Sequence, residues 1–152
     1  MAAVDYKALL DEVKRILTDD ARVGAADPSP THVTLEPELP TVELCPAVLI
    51  GLATFSRAAR RLVGGLSAGT PYDEEISIPL DCWAFSLQGA GDATRQLYDL
   101  VQNVMLALDD NHQLGALVDW ADVVSGDARF GQTESGGLFA AMTLTIRATV
   151  QA

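Results

Sequence analysis

The sequence predicts an α+β domain in which two main helices pack on one face of a roughly four-stranded, mainly antiparallel sheet. Two segments repeat apolar residues at helical spacing, and several others alternate apolar and polar residues with the period of a half-buried strand. The last two strand patterns flank a glycine-containing loop, which is typical of an antiparallel hairpin. The chain has 152 residues, of which 49% are hydrophobic, so residues 1–152 are predicted to form a single domain with a substantial core.

The first helix is predicted from Asp5 to Leu17. Its apolar residues recur on one helical face, its charged residues cover the other, and Asp5 has the side chain of an N-cap. Residues 24–40 are predicted to be a loop, because prolines interrupt any regular pattern there, with a short extended piece at His32 to Leu35.

Val42 to Leu52 is predicted to be extended. Pro46 interrupts this segment, which favours an edge strand, a bulge or two short strands. The apolar residues of Phe55 to Val63 fit one helical face, so this segment is predicted to be a short helix. Residues 64–75 follow as a predicted loop.

Ile76 to Gln88 is predicted to be a strand with one strongly apolar face. Pro79 cannot donate a hydrogen bond to a neighbouring strand, so it is expected to face an edge. The second main helix is predicted from Asp92, as its cap, to about Asp109. The residues expected on the buried face of the strand are Ile76, Ile78, Leu80, Cys82 and Ala84.

The predicted hairpin consists of a strand from Leu117 to Val124, a loop from Arg129 to Gly137 and a final strand from Leu138 to Val150. In the first of these strands Val118, Trp120 and Val124 are expected to share one face.

The final strand has the most regular alternation in the chain. Its apolar residues Met142, Leu144, Ile146, Ala148 and Val150 are predicted to face the helices. Between them lie Thr143, Thr145, Arg147 and Thr149, which favour strands but are polar. This second set is therefore a candidate surface for a neighbouring subunit, a lumen or solvent.

The composition excludes some classes of function. The net charge is −11 and the pI is about 4.3, which argues against a protein that binds DNA through phosphate contacts. No apolar stretch is long enough to span a membrane, and the first residues lack the pattern of a signal peptide. Cys45 and Cys82 are interpreted as free thiols, although a disulfide between them stays open. His32 and His112 are isolated, so no metal site is predicted.

No motif indicates catalysis or a cofactor. In SLQGAGDATRQL, Gly89 and Gly91 resemble part of a dinucleotide-binding turn, but Thr94 stands where the third glycine is required. Asp92 would also place a carboxylate where a phosphate should bind. Because GxSxG is missing as well, no enzyme, catalytic residue or cofactor is predicted.

One basic cluster stands out in this acidic chain, namely Arg57, Arg60 and Arg61. These arginines are either a solvated surface that pairs with nearby carboxylates or a contact with another subunit or partner, where arginine is enriched.

The order of these elements resembles the tail terminator, or tail completion, proteins of long-tailed bacteriophages. The resemblance covers about Asp5 to Val150 and lies in layout rather than in invariant residues. It is carried by the helix DYKALLDEVKRIL, the extended LPTVELCPAVLIGL, the strand EEISIPLDCWAF, the helix DATRQLYDLVQNVMLALDDN and the hairpin LVDWADVVSGDARFGQTESGGLFAAMTLTIRATV. It implies a loop or hairpin at Phe55 to Val63, where the residue pattern favours a helix.

The resemblance implies a structural virion protein that is assembled in the host cytoplasm. A hexameric ring would cap the head-proximal end of the tail tube, contact the tail tube protein and offer the surface that joins the head-closure or connector protein. Six subunits of charge −11 would carry about −66, and a negative lumen lets DNA pass without specific binding. The alternatives are another phage neck protein, such as a connector or head-closure protein, and a small-molecule-binding α+β domain.

Overall fold

The computed structural model describes residues 4–27, 29–35, 45–59, 72–132 and 137–151. Within these ranges the chain forms two helices and six strands, which build one mixed sheet. In chain order they are α1 Tyr6–Asp19, β1 His32–Leu35, β2 Ala47–Ile50, β3 Thr54–Ala59, β4 Tyr72–Ser86, α2 Ala90–Asp109, β5 Trp120–Gln132 and β6 Leu138–Gln151.

The fold is α+β, but the predicted sheet of roughly four mainly antiparallel strands is wrong. The described residues contain six strands, and the sheet is mixed because β1 runs parallel to β2. The two extra strands, β1 and β3, are only 4 and 6 residues long. Strands this short carry little periodicity of their own, and their pairing with distant residues decides their structure.

Strand β4 lies at the centre of the sheet, with β6 antiparallel along one edge and β5 antiparallel beyond β6. The other edge of β4 is occupied by two short strands that follow one another, β2 opposite residues 80–83 and β3 opposite residues 72–77. Strand β1 pairs with β2, so the strand order is β1-β2-β4-β6-β5 with β3 beside β4.

The junction of β2 and β3 explains how a central strand contains Pro79. The Gly51 N–H donates to the Pro79 carbonyl over 2.8 Å, so the backbone polar atoms of Pro79 point towards this junction. The missing N–H therefore falls in the gap between two short strands, although Pro79, which was expected to face an edge, lies in the central strand of the sheet. A Cβ on Gly51 would lie 2.6 Å from the Pro79 ring, so a side chain at Gly51 would prevent this close approach.

The core lies between the two helices and one face of the sheet. The predicted buried face of β4 is confirmed, since Ile76, Ile78, Leu80, Cys82 and Ala84 are all 0% exposed. On β6, Leu144, Ile146 and Ala148 are buried as predicted, while Met142 and Val150 are partly buried. The helices contribute Leu9, Val13, Ile16 and Leu17 from α1 and Leu97, Leu100, Val104 and Leu108 from α2.

Residues 55–59 belong to strand β3, so the predicted helix from Phe55 to Val63 is wrong over the part that the structure describes. The free edge of β4 provides backbone partners for every residue from Thr54 to Ala59, and this pairing outweighs a weak helical pattern. Residues 60–63 of the predicted helix lie outside the described residues. The predicted loop 64–75 is likewise corrected at residues 72–75, which begin β4, while residues 64–71 lie outside the described ranges.

Other boundaries also change. Asp5 is the N-cap of α1 and accepts from the Ala8 N–H over 3.0 Å, as predicted. The N-cap of α2 is Gly89, not Asp92. Asp92 lies in the first turn of α2, where it accepts hydrogen bonds from Ser86 and Gln96 and where a carboxylate favours the helix dipole.

Within the predicted loop 24–40, the short extended piece predicted at His32 to Leu35 is confirmed as β1. Residues 28 and 36–40 of this loop and residues 42–44 of the predicted extended segment lie outside the described ranges. The predicted loop of the hairpin changes in part. Strand β5 continues through residues 129–132, which were predicted to be a loop.

Candidate functional site

One face of the sheet carries both helices, and the other face carries the candidate surface. We call the second face the open face and define it by the side chains of β4, β5 and β6 that point away from the helices. Thr143, Thr145, Arg147 and Thr149 of β6 all lie on it, as the alternation predicts, because Leu144, Ile146 and Ala148 between them are buried against the helices. Arg147 and Thr149 are exposed, and Thr143 and Thr145 are partly exposed.

The strand register places these four residues in the middle of rows that run across the sheet. Each row contains at least one polar or charged partner on β4 or β5, so the polar character extends beyond β6. The rows are Glu75–Thr149–Trp120, Ser77–Arg147–Asp122, Pro79–Thr145–Ser125 and Asp81–Thr143–Asp127.

Two arginines on the open face make ion pairs with carboxylates. The Arg147 Nε lies 3.1 Å from Glu75 Oε1, and both side chains are about half exposed. Arg129 donates to Thr143 Oγ1 over 3.0 Å, and Thr143 in turn donates to Asp81 over 2.5 Å. Exposed pairs of this kind contribute only about 0–1 kcal/mol to stability, so they orient the side chains more than they stabilise the fold.

The open face also has an apolar part near one end of the strands. Trp83 packs there against Phe139, with ring centroids 5.1 Å apart, and the Arg129 guanidinium lies 5.1 Å from the centre of the indole. The indole is 8% exposed, and its buried Nε1–H has no hydrogen-bond acceptor in the part of the chain that the structure describes. The residues that complete this cluster are Ala47, Leu49, Ala141 and the partly buried Cys45.

Arg57 is not on the open face. It points towards the helices and donates to Glu74 Oε1 over 3.2 Å, and Glu74 is completely buried. The Tyr6 hydroxyl donates to the same oxygen, and burial together with the Glu74 carboxylate raises the pKa of Tyr6. Phe55 stacks on Tyr6 at 5.5 Å. Arg57 is therefore part of a structural cluster, separate from the threonine residues, while Arg60 and Arg61 lie outside the described residues.

The lateral edges of the sheet are a second feature, which the sequence interpretation missed. Strand β5 pairs with β6 on one side, and no strand of the described chain pairs with its other side. Strand β1 at the opposite end of the sheet pairs with β2 on one side only within the described ranges. Several large apolar side chains of β5 are exposed, namely Trp120, Val124 and Phe130.

The structure also bears on small-molecule and metal chemistry. A cleft of about 700 Å³ at one end of the sheet is lined by Arg57, Asp73, Glu74, Glu75 and Asp119, among others. One oxygen of Glu74 is buried and has no hydrogen-bond partner among the described residues. Over the described residues, no group of three or more His, Cys, Asp or Glu side chains is arranged to hold a metal ion.

The cysteines lie on opposite faces of the sheet. Cys82 is in the core under the helices, where burial raises its pKa to about 12, and Cys45 is at the apolar part of the open face, where burial also raises its pKa. Both are free thiols, so the disulfide that the sequence left open does not form here.

Among the described helices, none combines the length and apolar composition needed to cross a membrane.

No protein-family model matches this chain, and no curated protein sequence matches it.

Proposed function

We propose that this protein is a tail terminator that forms a ring at the head-proximal end of a phage tail tube, with six copies in the ring as the resemblance implies. The observation that carries this proposal is the open face, a broad polar surface on a sheet whose opposite face packs against the helices. Such a surface suits the lumen of a ring or a contact between subunits. The order of the elements and the net charge of −11 support the same proposal.

The charge of the open face favours the lumen. Its exposed carboxylates include Asp73, Glu75, Asp122 and Asp127, whereas its cationic side chains are Arg129 and Arg147 in the described part of the face. Both arginines pair with carboxylates of the same face. The remaining charge is negative, and a negative lumen repels the phosphates of DNA, so the DNA passes without being held.

The test is the oligomeric state of the protein alone and after mixing with isolated tail tubes. Native mass spectrometry and electron microscopy should show rings of six copies, free or at one end of the tubes. A protein that remains monomeric at high concentration and does not bind tube ends would contradict the proposal. A tail tube preparation that already carries its terminal ring is the matched control, because its ends should not bind additional protein.

The cleft beside Glu74 favours a second candidate function, the binding of a small cationic molecule. The Glu74 oxygen is buried and has no partner within the described ranges, and this oxygen and the neighbouring Asp73, Glu75 and Asp119 would attract such a ligand. Thermal-shift measurements with amines and divalent metals separate the two candidates, and anionic nucleotides are the control that should cause no shift. A large shift with one compound, together with a failure to bind tubes, would favour the small-molecule function.

A further inference from the structure

We propose that copies of this chain join through their sheet edges, with β1 of one copy pairing antiparallel with β5 of the next. The sheets of neighbouring subunits would then form one continuous surface. This inference rests on the proposed ring, because it names the contact that would build it. Three properties of the edges carry it: strand direction, the rows of side chains, and the shape of the two edges.

The strand directions of the two edges are compatible. Strand β5 is antiparallel to β6, which is antiparallel to β4, so β5 and β4 run in the same direction. Strand β1 is parallel to β2, which is antiparallel to β4, so β1 runs in the opposite direction. Rotation about a ring axis preserves direction along that axis, and β1 of a neighbour therefore meets β5 in the antiparallel sense. Pairing of unlike edges is also the head-to-tail contact that generates a ring when the rotation closes.

The two edges lie at the same level of the sheet. Following the register across the strands, Val33 of β1 lies in the row of Ala128 of β5, and Leu35 lies in the row of Gly126. Val33 and Leu35 are partly buried on the helix side, and Ala128 and Phe130 are exposed on that same side. Joining the edges would place these apolar side chains together and cover Phe130, which is 62% exposed in the single chain.

The shapes of the two edges are complementary as well. On the β1 side the sheet is one strand narrower at β3, because within the described residues β3 pairs directly with β4 and has no strand beyond it. On the β5 side, the turn formed by residues 110–117 covers the edge at the corresponding rows, since the Ala121 N–H donates to the His112 carbonyl. The projecting turn of one copy thus faces the recess beside β3 of the next, and no described residue covers β5 where β1 projects.

The backbone geometry identifies which amides of β5 would bind the neighbour. The Pro79 carbonyl points to β2 and β3, and Pro79 is opposite Thr145. The backbone polar atoms of Thr145 therefore point to β5, where Thr145 is opposite Ser125. Beyond the bulge at Val124, alternate residues of β5 point away from β6, and their outward amides are those of Gly126, Ala128 and Phe130.

The experiment is a proline substitution at an outward amide. Ala128→Pro removes an N–H that points away from β6 and has no partner among the described residues, and edge strands tolerate proline at such positions. The matched control is Ala128→Ser, which keeps the N–H. We expect Ala128→Ser to assemble like the wild type and Ala128→Pro to remain monomeric, with a circular dichroism spectrum that is unchanged. Ring assembly by Ala128→Pro at wild-type concentrations would overturn the inference.

Amide hydrogen exchange on the wild-type protein decides the question if Ala128→Pro does not fold. In the assembled form, exchange at Gly126, Ala128 and Phe130 should slow by roughly tenfold or more relative to the monomer. Unchanged exchange at these amides in rings would exclude edge pairing while leaving the proposed function intact. Failure of the wild type to form rings, alone and on tail tubes, would instead remove the proposed function together with this inference.

Discussion

The two faces of the sheet obey different rules, although the same strands form both. On β6, Ile146 is 1% exposed and packs under the helices, whereas its neighbour Arg147 points to the open face and is exposed. The covered face stabilises the fold because its apolar side chains are removed from water, which contributes about 25 cal/mol per Å² of apolar surface. The open face has weak ion pairs and short hydroxyl side chains. Folding therefore constrains the first face tightly and leaves the second one free to serve an assembly.

The largest expected difference between the faces comes from placing a carboxylate on each. Ile146→Asp would bury an unpaired charge in the core, which costs several kcal/mol, so the variant should fail to fold. Thr145→Asp on the same strand places the same group on the open face and should change the unfolding free energy by about 1 kcal/mol or less. Urea denaturation measures both. A stable Ile146→Asp variant would contradict the assignment of the covered face.

A smaller effect is expected at the buried polar cluster on the covered side. Tyr6→Phe removes the hydroxyl that donates to Glu74, and the loss of a hydrogen bond to a buried carboxylate should destabilise the protein by about 1.5–3 kcal/mol. Tyr98→Phe on the exposed surface of α2 is the matched control and should change stability by less than about 0.5 kcal/mol. Equal effects of the two substitutions would mean that the Glu74 cluster adds nothing to stability.

The covered side should also show a pH dependence at the ends of the helices. The Arg22 guanidinium donates to Asp20 and Asp110 and holds the pKa of Asp20 below its ordinary value near 3.8. Because the pKa of Asp20 is lower in the folded than in the unfolded state, the pair stabilises the fold at pH values above the ordinary pKa. This stabilisation is lost as the pH falls through the lower folded-state pKa.

Asp20→Asn should therefore be less stable than the wild type by about 1 kcal/mol at pH 7, and the difference should shrink as the pH is lowered from about 5 to 2. Unfolding free energies of both proteins across this range provide the measurement. A difference that stays constant down to pH 2 would show that the charge of Asp20 is not its cause.

The smallest expected effect concerns the open face alone. Arg147→Ala breaks the half-exposed pair with Glu75 and should change the unfolding free energy by no more than about 1 kcal/mol. The same substitution makes the open face more negative, so any effect should appear in assembly or DNA passage rather than in stability. A loss of several kcal/mol would mean that this face contributes to the core after all.

The sequence predicts the long elements well because their periodicity is strong. Strands β4 and β6 alternate over many residues, and α1 and α2 each have a clear apolar stripe. The same reasoning fails at β3, because Phe55 and Arg57 point to the helix side only as a result of pairing with β4. It also fails at the start of β5, because Val118 lies before the strand and is buried, whereas Trp120 lies opposite Thr149 and is exposed. Val124 is exposed at a bulge that shifts the register between Val123 and Ser125.

The candidate surface could likewise be predicted only in part. The polar side of β6 follows from its alternation, and the structure places all four predicted residues on one face. The free edges of β1 and β5 could not be predicted, because an edge is defined by which strands are neighbours, and neighbours such as β4 and β6 are distant in the chain. The role of Arg57 depends on Glu74 in the same way, so composition alone could not separate it from the rest of the basic cluster.

The placement of the cysteines has a practical chemical consequence. Cys82 is sealed in the core with a pKa near 12, so its thiolate is scarce and out of reach of reagents in the folded protein. Cys45 is partly accessible beside the Trp83 cluster. Mild alkylation of the native chain should therefore attach a single fluorophore to Cys45, and the nearby indole could report by quenching when another molecule covers this end of the sheet.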